Sequence, residues 1–372
     1  MRFTPGDLLP PFVADSNVRP RFDLDLLAGE RLLLVFLGSA GLAFGQRLRD
    51  DLLAAQRPLW ELGIRLCIVS ADPADRDEGR LSGFVPPSIV FWDADRAIYR
   101  LFGMEVAPAD GAARPSLRVG AAIIAENRRL KGFLPAQPLD TFAVRLRDAV
   151  HEIPPRTLGR PAPRHAPVLQ IPDVFDADLC RRLVAAYEAD GGGDSGFMRD
   201  DGEVTRGLID GRGKRRRDCY LSDPALCGEI RGAFERRVLP EIAKAFQFRV
   251  ACIERYLVAC YDGSDAGFFM VHRDNNTHAT AHRRFAVSVN LNGGEFEGGA
   301  LRFLEYGLDT YSPGTGEALV FSGSLLHEAM RVTKGRRFVF LTFLHDAAAE
   351  ALRRRNLGTL DQSGPRTVTA AE

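Results

Sequence analysis

The chain has 372 residues, of which 45% are hydrophobic and 26% charged, proportions that are usual for globular proteins of one or two domains. Its 49 lysines and arginines balance its 49 aspartates and glutamates, so nothing indicates a general attraction to nucleic acid or to an anionic membrane. No signal-peptide pattern opens the sequence, and no apolar run is long enough to span a bilayer. Six cysteines without pair spacing favour reduced thiols, and we therefore predict a cytoplasmic protein.

Residues 1–152 alternate predicted strands with predicted helices. Three continuous apolar runs, typical of buried strands, cover residues 32–37, 64–69 and 88–91. Helical patterns cover residues 44–62 and 139–150, and a hairpin is predicted from 119–124 and 130–133. Strands that alternate with helices and end in a hairpin predict an α/β sheet with mixed strand directions.

Several short motifs follow one another along this first segment: Gly6-Asp7, Pro11-Phe12, Val69-Ser70-Ala71-Asp72, and Trp92-Asp93-Ala94-Asp95 leading to Phe102-Gly103. With the strand at 32–37, they resemble the thioredoxin-fold peroxiredoxins. The resemblance implies a peroxidatic cysteine after the first core strand, but residues 38–45 contain none. Cys67 lies inside an apolar strand, where thiols are usually inert. We therefore expect a retained fold without peroxidase chemistry.

A proline-rich stretch at residues 153–167 predicts a stiff linker and separates two domains, 1–152 and 168–347. Helices are predicted after it, at residues 176–188 and at 225–246 with a break at Pro240. Residues 200–218, which carry the run Lys214-Arg215-Arg216-Arg217, are predicted to form a flexible basic loop. We interpret the run as a solvated face, with contact to an acidic substrate as the alternative.

From residue 250 onward the pattern predicts β-structure. The candidate strands cover residues 254–260, 268–271, 284–291, 300–303, 318–321 and 337–344. Short strands separated by glycine-rich turns predict an all-β double-stranded β-helix, or jelly roll, with flanking helices. Residues 348–372 are predicted to be a loosely ordered tail.

Two histidines and one carboxylate mark a candidate metal centre in this second domain. His272 and Asp274 are two residues apart at a predicted strand end, so their side chains project to the same side. His327 follows the strand at 318–321 and is placed to join them. Two histidines and one carboxylate on one face of the metal are the ligands of non-haem Fe(II) oxygenases. His278 and His282 lie in a polar run without such a carboxylate, and we do not expect them to bind iron.

Further residues surround these three in a definite order: Tyr261, Asp262-Gly263, Gly298-Gly299, Gly314-x-Gly316, Gly335 and Arg337. Over residues 168–346 the segment resembles the 2-oxoglutarate/Fe(II)-dependent dioxygenases, in particular the prolyl-4-hydroxylase-like group. The resemblance implies Fe(II) held by His272, Asp274 and His327, and Arg337 bound to the distal carboxylate of 2-oxoglutarate. It also implies O2, with ascorbate as a further candidate cofactor. The implied reaction hydroxylates an unactivated C–H bond and releases succinate and CO2.

Strand parity supports the assignment of Arg337 independently. It turns Arg337 toward the barrel interior, where a cation needs an anionic partner, and turns Arg336 toward solvent. An internal salt bridge is the alternative partner. Tyr261 and Asn290 are further candidates for contacts with the cosubstrate. Tyr261 is equally compatible with a structural role, and related hydroxylases often have tyrosine near the position of Asn290.

Two other functions stay open. A thiol-redox, peroxiredoxin-like protein would need a reactive cysteine near Ala43, and the sequence has none there. A sensor or adaptor would bind the metal without turnover and would release no succinate. The substrate, either a peptide or protein or a small molecule, is not specified by the sequence, because pocket loops determine it.

Overall fold

The computed structural model describes residues 1–107, 115–151, 165–361 and 365–368. The chain divides into two compact units, Met1–Arg160 and Pro161–Glu372. Most of the predicted linker at 153–167 lies outside the described residues, so its extended form stays a prediction. Within the described ranges, no helix has the length and apolar character needed to cross a membrane.

The first unit is built on a seven-stranded mixed sheet with helices around it. Its strands are β1 (Val13–Ser16), β2 (Phe22–Asp23), β3 (Arg31–Gly38), β4 (Ile64–Ser70), β5 (Ile89–Trp92), the short pair β6 (Glu105–Val106) and β7 (Ser116–Leu117), β8 (Gly120–Ile124) and β9 (Leu130–Pro135). Its helices are α1 (Ala43–Glu61), α2 (Pro73–Asp77), α3 (Ala97–Phe102) and α4 (Phe142–His151). The sheet order is β2-β1-β5-β4-β3-β8-β9, with β3, β4 and β5 parallel and β8 antiparallel to β3. This is the predicted α/β, thioredoxin-like arrangement.

The continuous apolar sequence of β3 follows from burial on both faces of the sheet. Leu32, Leu34 and Phe36 pack into one hydrophobic cluster, and Leu33 and Val35 pack into another on the opposite face. Because successive side chains of a strand alternate between faces, a strand covered on both sides must be apolar at every position.

Cys67 lies in the middle of β4 and is fully buried. Burial raises the pKa of its thiol to about 12, because the thiolate would lose its hydration. The thiol is therefore protonated at neutral pH and is a poor nucleophile.

A Cys67→Ser variant tests this placement. We expect it to lower the free energy of unfolding by about 1–3 kcal/mol, because a hydroxyl replaces a thiol at a buried apolar position. Chemical denaturation measures this loss. Thiol-dependent peroxide consumption should be absent from both wild type and variant, and rapid consumption that the substitution abolishes would contradict the assignment.

The second unit contains two facing sheets with helices against the larger one. Its strands are β10 (Leu169–Ile171), β11 (Gly193–Asp194), β12 (Phe197–Asp201), β13 (Val204–Ile209), β14 (Lys214–Arg215), β15 (Arg217–Tyr220), β16 (Cys252–Ile253), β17 (Leu257–Asp262), β18 (Phe268–His272), β19 (Phe285–Asn290), β20 (Glu297–Gly298), β21 (Leu301–Arg302), β22 (Thr310–Tyr311), β23 (Ala318–Ser322), β24 (His327–Ala329), β25 (Val332–Lys334), β26 (Arg336–His345) and β27 (Arg366–Thr367). Its helices are α5 (Ala177–Asp190), α6 (Pro224–Arg237), α7 (Leu239–Phe246) and α8 (Ala347–Asn356).

The larger sheet has the order β10-β23-β19-β26-β17-β15-β11, and the smaller one β14-β18-β24-β21-β22. One face of the larger sheet packs on α5, α6 and α7 through residues such as Val287 and Phe340. Its other face contributes Ala259 and Val339 to a second cluster, shared with Leu301 of the smaller sheet. This double-sheet arrangement confirms the predicted jelly roll and leaves polar inner positions between the sheets.

Two expectations were wrong. Residues 200–218 are not a flexible loop, because they contain parts of β12 and β15 together with β13 and β14, and Lys214 and Arg216 are buried. Strand alternation buries these two and exposes Arg215 and Arg217. The tail is also more ordered than predicted. Its helix α8 begins where the Asp346 carboxylate accepts a hydrogen bond from the backbone N–H of Ala349.

Candidate metal centre and cavity

The pairing of β18 with β24 brings the two histidines of the predicted triad together. His272 ends β18 and lies opposite His327, which begins β24. Asp274 follows two residues later, and its two oxygens lie 3.5 Å from the Nε2 atoms of His272 and His327. One ligand atom from each of the three residues falls within 4.8 Å of the other two.

Backbone carbonyls orient both imidazole rings. His272 Nδ1 lies 2.8 Å from the carbonyl oxygen of Met270, and His327 Nδ1 lies 2.9 Å from that of Leu325. A carbonyl only accepts, so each Nδ1 carries the proton and each Nε2 lone pair faces Asp274. Metal-binding histidines are commonly fixed in this way. The donor set, two Nε2 atoms and a carboxylate, fits Fe(II).

The charges of His327 and Asp274 are those that metal ligands need. Burial lowers the pKa of His327 to about 4, against the opposing attraction of Asp274, so the imidazole is neutral at physiological pH. Burial alone would raise the pKa of Asp274, but the interactions with His327 and His272 outweigh it and lower that pKa. His327 therefore offers a neutral nitrogen and Asp274 a carboxylate.

Arg337 points into the barrel interior, as strand parity predicts, and is 2% exposed. Its Nε and Nη2 donate to Asn290 Oδ1 over 3.2 and 3.0 Å, and the Asn290 amide donates in turn to the carbonyl of Pro313. Burial lowers the pKa of Arg337 to about 10, which leaves it charged at neutral pH. No carboxylate of the described residues pairs with it, so the alternative of an internal salt bridge finds no partner there. Arg336 is exposed and pairs with Glu188.

Tyr261 lies beside Arg337 and is 4% exposed. Its ring centroid is 5.5 Å from the Cζ of Arg337 and 5.7 Å from that of Arg216, whose Nη1 donates to the tyrosine hydroxyl over 3.4 Å. Arg216 is held by Asp218 through two hydrogen bonds of 2.7 Å. We interpreted the basic run as solvated and missed this position. The sequence did contain a signal for it: Lys214 and Arg216 are two residues apart, so in an extended segment they share one face.

These side chains lie on the wall of one cavity of about 1080 Å³. Its lining includes the triad, Arg337, Tyr261, Lys214 and Arg216. Small-molecule sites usually occupy about 300–1,000 Å³. The volume is therefore ample for a five-carbon diacid and a part of a second molecule.

The competing histidines lie elsewhere. His278 is exposed in a short 3-10 helix and pairs with Asp200 at 2.9 Å, and His282 is buried against Glu254 at 2.9 Å. His282 belongs to another group of potential ligands, with Glu254 and His345. The Glu254 carboxylate in that group is already bound by Arg283 through both oxygens. Neither histidine joins the triad.

Comparison with known proteins agrees with this geometry. Residues 256–345 match the family model of the 2OG-Fe(II) oxygenase superfamily. The second unit contains a 2OG-Fe(II) oxygenase domain. Enzymes of this family use Fe(II), 2-oxoglutarate and O2, and the triad of this oxygenase domain is a group of residues that could hold the metal.

The oxygenase domain is similar to hydroxylases of other organisms. Procollagen-lysine,2-oxoglutarate 5-dioxygenase 1 of Mus musculus is 33% identical over 102 residues, 26% of this chain and 12% of the relative. A multifunctional procollagen lysine hydroxylase and glycosyltransferase of Caenorhabditis elegans is 23% identical over 198 residues, 49% of this chain and 25% of the relative. The chain thus spans a quarter or less of the length of these two relatives.

Similar solved structures exist for each part of the chain. A Pseudomonas putida prolyl-4-hydroxylase covers 48% of this chain and 92% of its own, with 17% identity and a TM-score of 0.37. The peroxidoxin BcpB of Mycobacterium tuberculosis covers 41% of this chain and 99% of its own, with 15% identity and a TM-score of 0.35.

The triad geometry predicts which histidines matter for metal binding. We expect His272→Ala and His327→Ala to weaken binding of Fe(II) or Mn(II) at least tenfold, since even losing an outer hydrogen-bond partner of a metal ligand typically costs 10–100-fold. Metal content after anaerobic loading and gel filtration measures the effect. His278→Ala is the matched control and should retain the metal. Full metal content in either triad variant would contradict the geometry.

Proposed function

We propose that this chain is a 2-oxoglutarate- and Fe(II)-dependent dioxygenase that hydroxylates an unactivated C–H bond and releases succinate and CO2. One observation carries the proposal: the His272, Asp274 and His327 triad and the unpaired cation Arg337 line the same cavity. A metal centre that leaves coordination positions open, next to a buried site for a carboxylate, is what a diacid cosubstrate requires.

In this proposal His272, Asp274 and His327 hold Fe(II) from one face. The bound iron would supply the redox chemistry with O2. The protein contributes the fixed ligand geometry, because Met270 and Leu325 hold the two rings through their carbonyls. Asp274 is held in place by its backbone N–H, which donates to the carbonyl of Gly323 over 2.9 Å.

Arg337 is proposed to bind the distal carboxylate of 2-oxoglutarate. A planar guanidinium suits a carboxylate because it donates through two parallel N–H groups. Asn290 binds Nε and one N–H of Nη2, so it orients Arg337 and leaves the edge formed by Nη1 and Nη2 for the ligand. We expected Asn290 to contact the cosubstrate itself, and we now propose a positioning role for it. The Tyr261 hydroxyl accepts from Arg216 and keeps a proton to donate to the same carboxylate.

The names of the hydroxylase relatives suggest a peptide side chain as one substrate class, and a small molecule is the other. Ascorbate is included as the reductant that keeps the iron ferrous. We also propose a cytoplasmic location, because the spacing of the six cysteines favours reduced thiols and all six are unpaired in the structure.

Succinate release tests the proposed function. Purified protein with Fe(II), ascorbate and 2-oxoglutarate should release succinate slowly even without its substrate, and His327→Ala should abolish the release. Chromatographic or mass-spectrometric detection of succinate is the readout. Tight metal binding with no succinate above the His327→Ala background would support the sensor or adaptor function instead.

Arg337→Ala gives the sharpest test of the cosubstrate. Removing one partner of a well-buried ion pair costs about 3–5 kcal/mol, which corresponds to roughly a hundredfold or greater weakening of 2-oxoglutarate binding. Metal affinity should change little, because the triad is untouched. Arg337→Lys should be intermediate, since it keeps the charge but loses the planar fork. Calorimetry with an inert metal replacing iron measures these affinities.

Arg336→Ala is the matched control, because this neighbouring side chain points to solvent and pairs with Glu188. Its affinity for 2-oxoglutarate should equal that of wild type. If Arg336→Ala weakens 2-oxoglutarate binding more than Arg337→Ala does, Arg336 and not Arg337 is the side chain of β26 that points into the cavity. If neither variant weakens binding, 2-oxoglutarate is not the ligand of Arg337.

A further inference from the structure

A second arginine of the cavity, Arg255, has no acidic partner among the described residues. It lies between β16 and β17 and lines the same cavity as the triad. Its Nε is buried and has no hydrogen-bond acceptor. In the described part of the second unit, the guanidinium also forms no ion pair. Arg255 therefore differs from the other cations around it.

Those neighbouring cations are already satisfied. Arg283 forms a bidentate pair with Glu254, at 2.7 Å from Nη2 and 2.9 Å from Nε, and His282 takes a further position on that carboxylate at 2.9 Å. Arg216 is bound by Asp218. The acidic side chain that adjoins Arg255 in sequence, Glu254, is thus fully engaged by other donors.

The guanidinium of Arg255 is nevertheless held in place. Its Cζ lies 4.8 Å from the ring centroid of Phe343, and the Cζ of Arg283 lies 3.9 Å from the same centroid. Stacking on an aromatic face fixes the plane of a guanidinium and leaves its N–H edges free for an acceptor. Arg283 also donates to the backbone carbonyl of Asp274 over 3.4 Å, so Phe343 and Arg255 extend the cavity wall on the Asp274 side.

An unpaired cation here is unfavourable. Burial lowers the pKa of Arg255, the positive charges of Arg283 and Arg216 lower it further, and the attraction of Glu254 opposes them only in part. The buried Nε of Arg255 lacks an acceptor, and an incoming anion would supply one together with a compensating charge. The arrangement is therefore one that binding of an anion would stabilise.

We assign the anion at Arg255 to a molecule other than the cosubstrate at Arg337, because the two arginines are far apart along the strands. Tyr261, which pairs with Arg337 across β17 and β26, is six residues from Arg255. The backbone N–H of Glu254 donates to the carbonyl of Phe343, so the segment between β16 and β17 stays hydrogen-bonded to β26. Six extended residues span roughly 20 Å. Asn290 anchors the guanidinium of Arg337 and Phe343 that of Arg255, so the two arginines are held by different parts of the cavity wall.

We propose that Arg255 is a substrate-binding residue and that the substrate carries an anionic oxygen group, a carboxylate or a phosphate. The inference rests on the proposed function and specifies its substrate class. The anion pairs with the free N–H edge of Arg255 on the Asp274 side of the cavity, while 2-oxoglutarate occupies the Arg337 side.

Affinity selection tests this proposal without turnover. Protein loaded with Mn(II) and saturating 2-oxoglutarate is incubated with a pool of peptides and metabolites from a cell extract, separated by rapid gel filtration, and analysed by mass spectrometry. The same pool is also used after amidation of its carboxylates and after phosphatase treatment. We expect anionic compounds to be enriched, and one of the two treatments to remove the enrichment and so identify the group.

For each variant, the enrichment of anionic compounds is compared with that of neutral compounds in the same protein preparation. Partial unfolding lowers both and therefore does not imitate a loss of preference for anions. Arg255→Gln should lower the enrichment of anionic over neutral compounds at least tenfold, and Arg255→Lys should retain part of it. Arg284→Gln is the control, because Arg284 bonds the carbonyl of Ala281 and lies outside the cavity lining. Enrichment of neutral compounds, no enrichment by wild type, or an unchanged preference in Arg255→Gln would overturn the proposal. Succinate release is measured separately, so that its absence counts against the proposed function alone.

Discussion

The antiparallel pairing of β18 with β24 is the constraint on which the proposed chemistry depends. The register shifts between Phe269 and His272, so the paired strands end with the two imidazoles side by side, their ring centroids 4.3 Å apart. Asp274 then follows at the strand end with an oxygen toward each ring. Moving either strand by one residue would turn a histidine to the opposite face, because side chains alternate along a strand. The two sheets of the jelly roll keep this register fixed.

Several cations that line the cavity are hydrogen-bonded to protein acceptors. Arg216 has Asp218, Arg283 has Glu254, and Lys214 donates to Ser195 and to the carbonyl of Gly196 over 2.7 Å each. Arg337 has only a neutral amide, and Arg255 only an aromatic face. Since burying an unpaired charge is costly, Arg337 and Arg255 are the two cations to which we assign ligand anions in our proposals.

Sequence alone predicted the parts of the structure that rest on strand periodicity. The inward direction of Arg337, the outward direction of Arg336 and the same-side placement of His272 and Asp274 all follow from an alternation of two. The absence of a cysteine at residues 38–45 was equally visible. One error came from charge: the basic run around Arg216 was interpreted as solvated, because partners such as Asp218 are recognised only once strands pair. Arg255 gave no signal, since a missing partner is apparent only in three dimensions.

The central claim is that the triad and Arg337 serve one metal and one 2-oxoglutarate. The most direct measurement is an anaerobic titration of 2-oxoglutarate into the Fe(II)-loaded protein, followed by visible absorption, because chelation of ferrous iron by a 2-oxo acid produces a charge-transfer band. We predict a band that saturates at one equivalent of 2-oxoglutarate per chain and that is absent when glutarate, which lacks the 2-oxo group, replaces it. No band from a protein that has bound its iron, or an equal response to glutarate, would contradict the account.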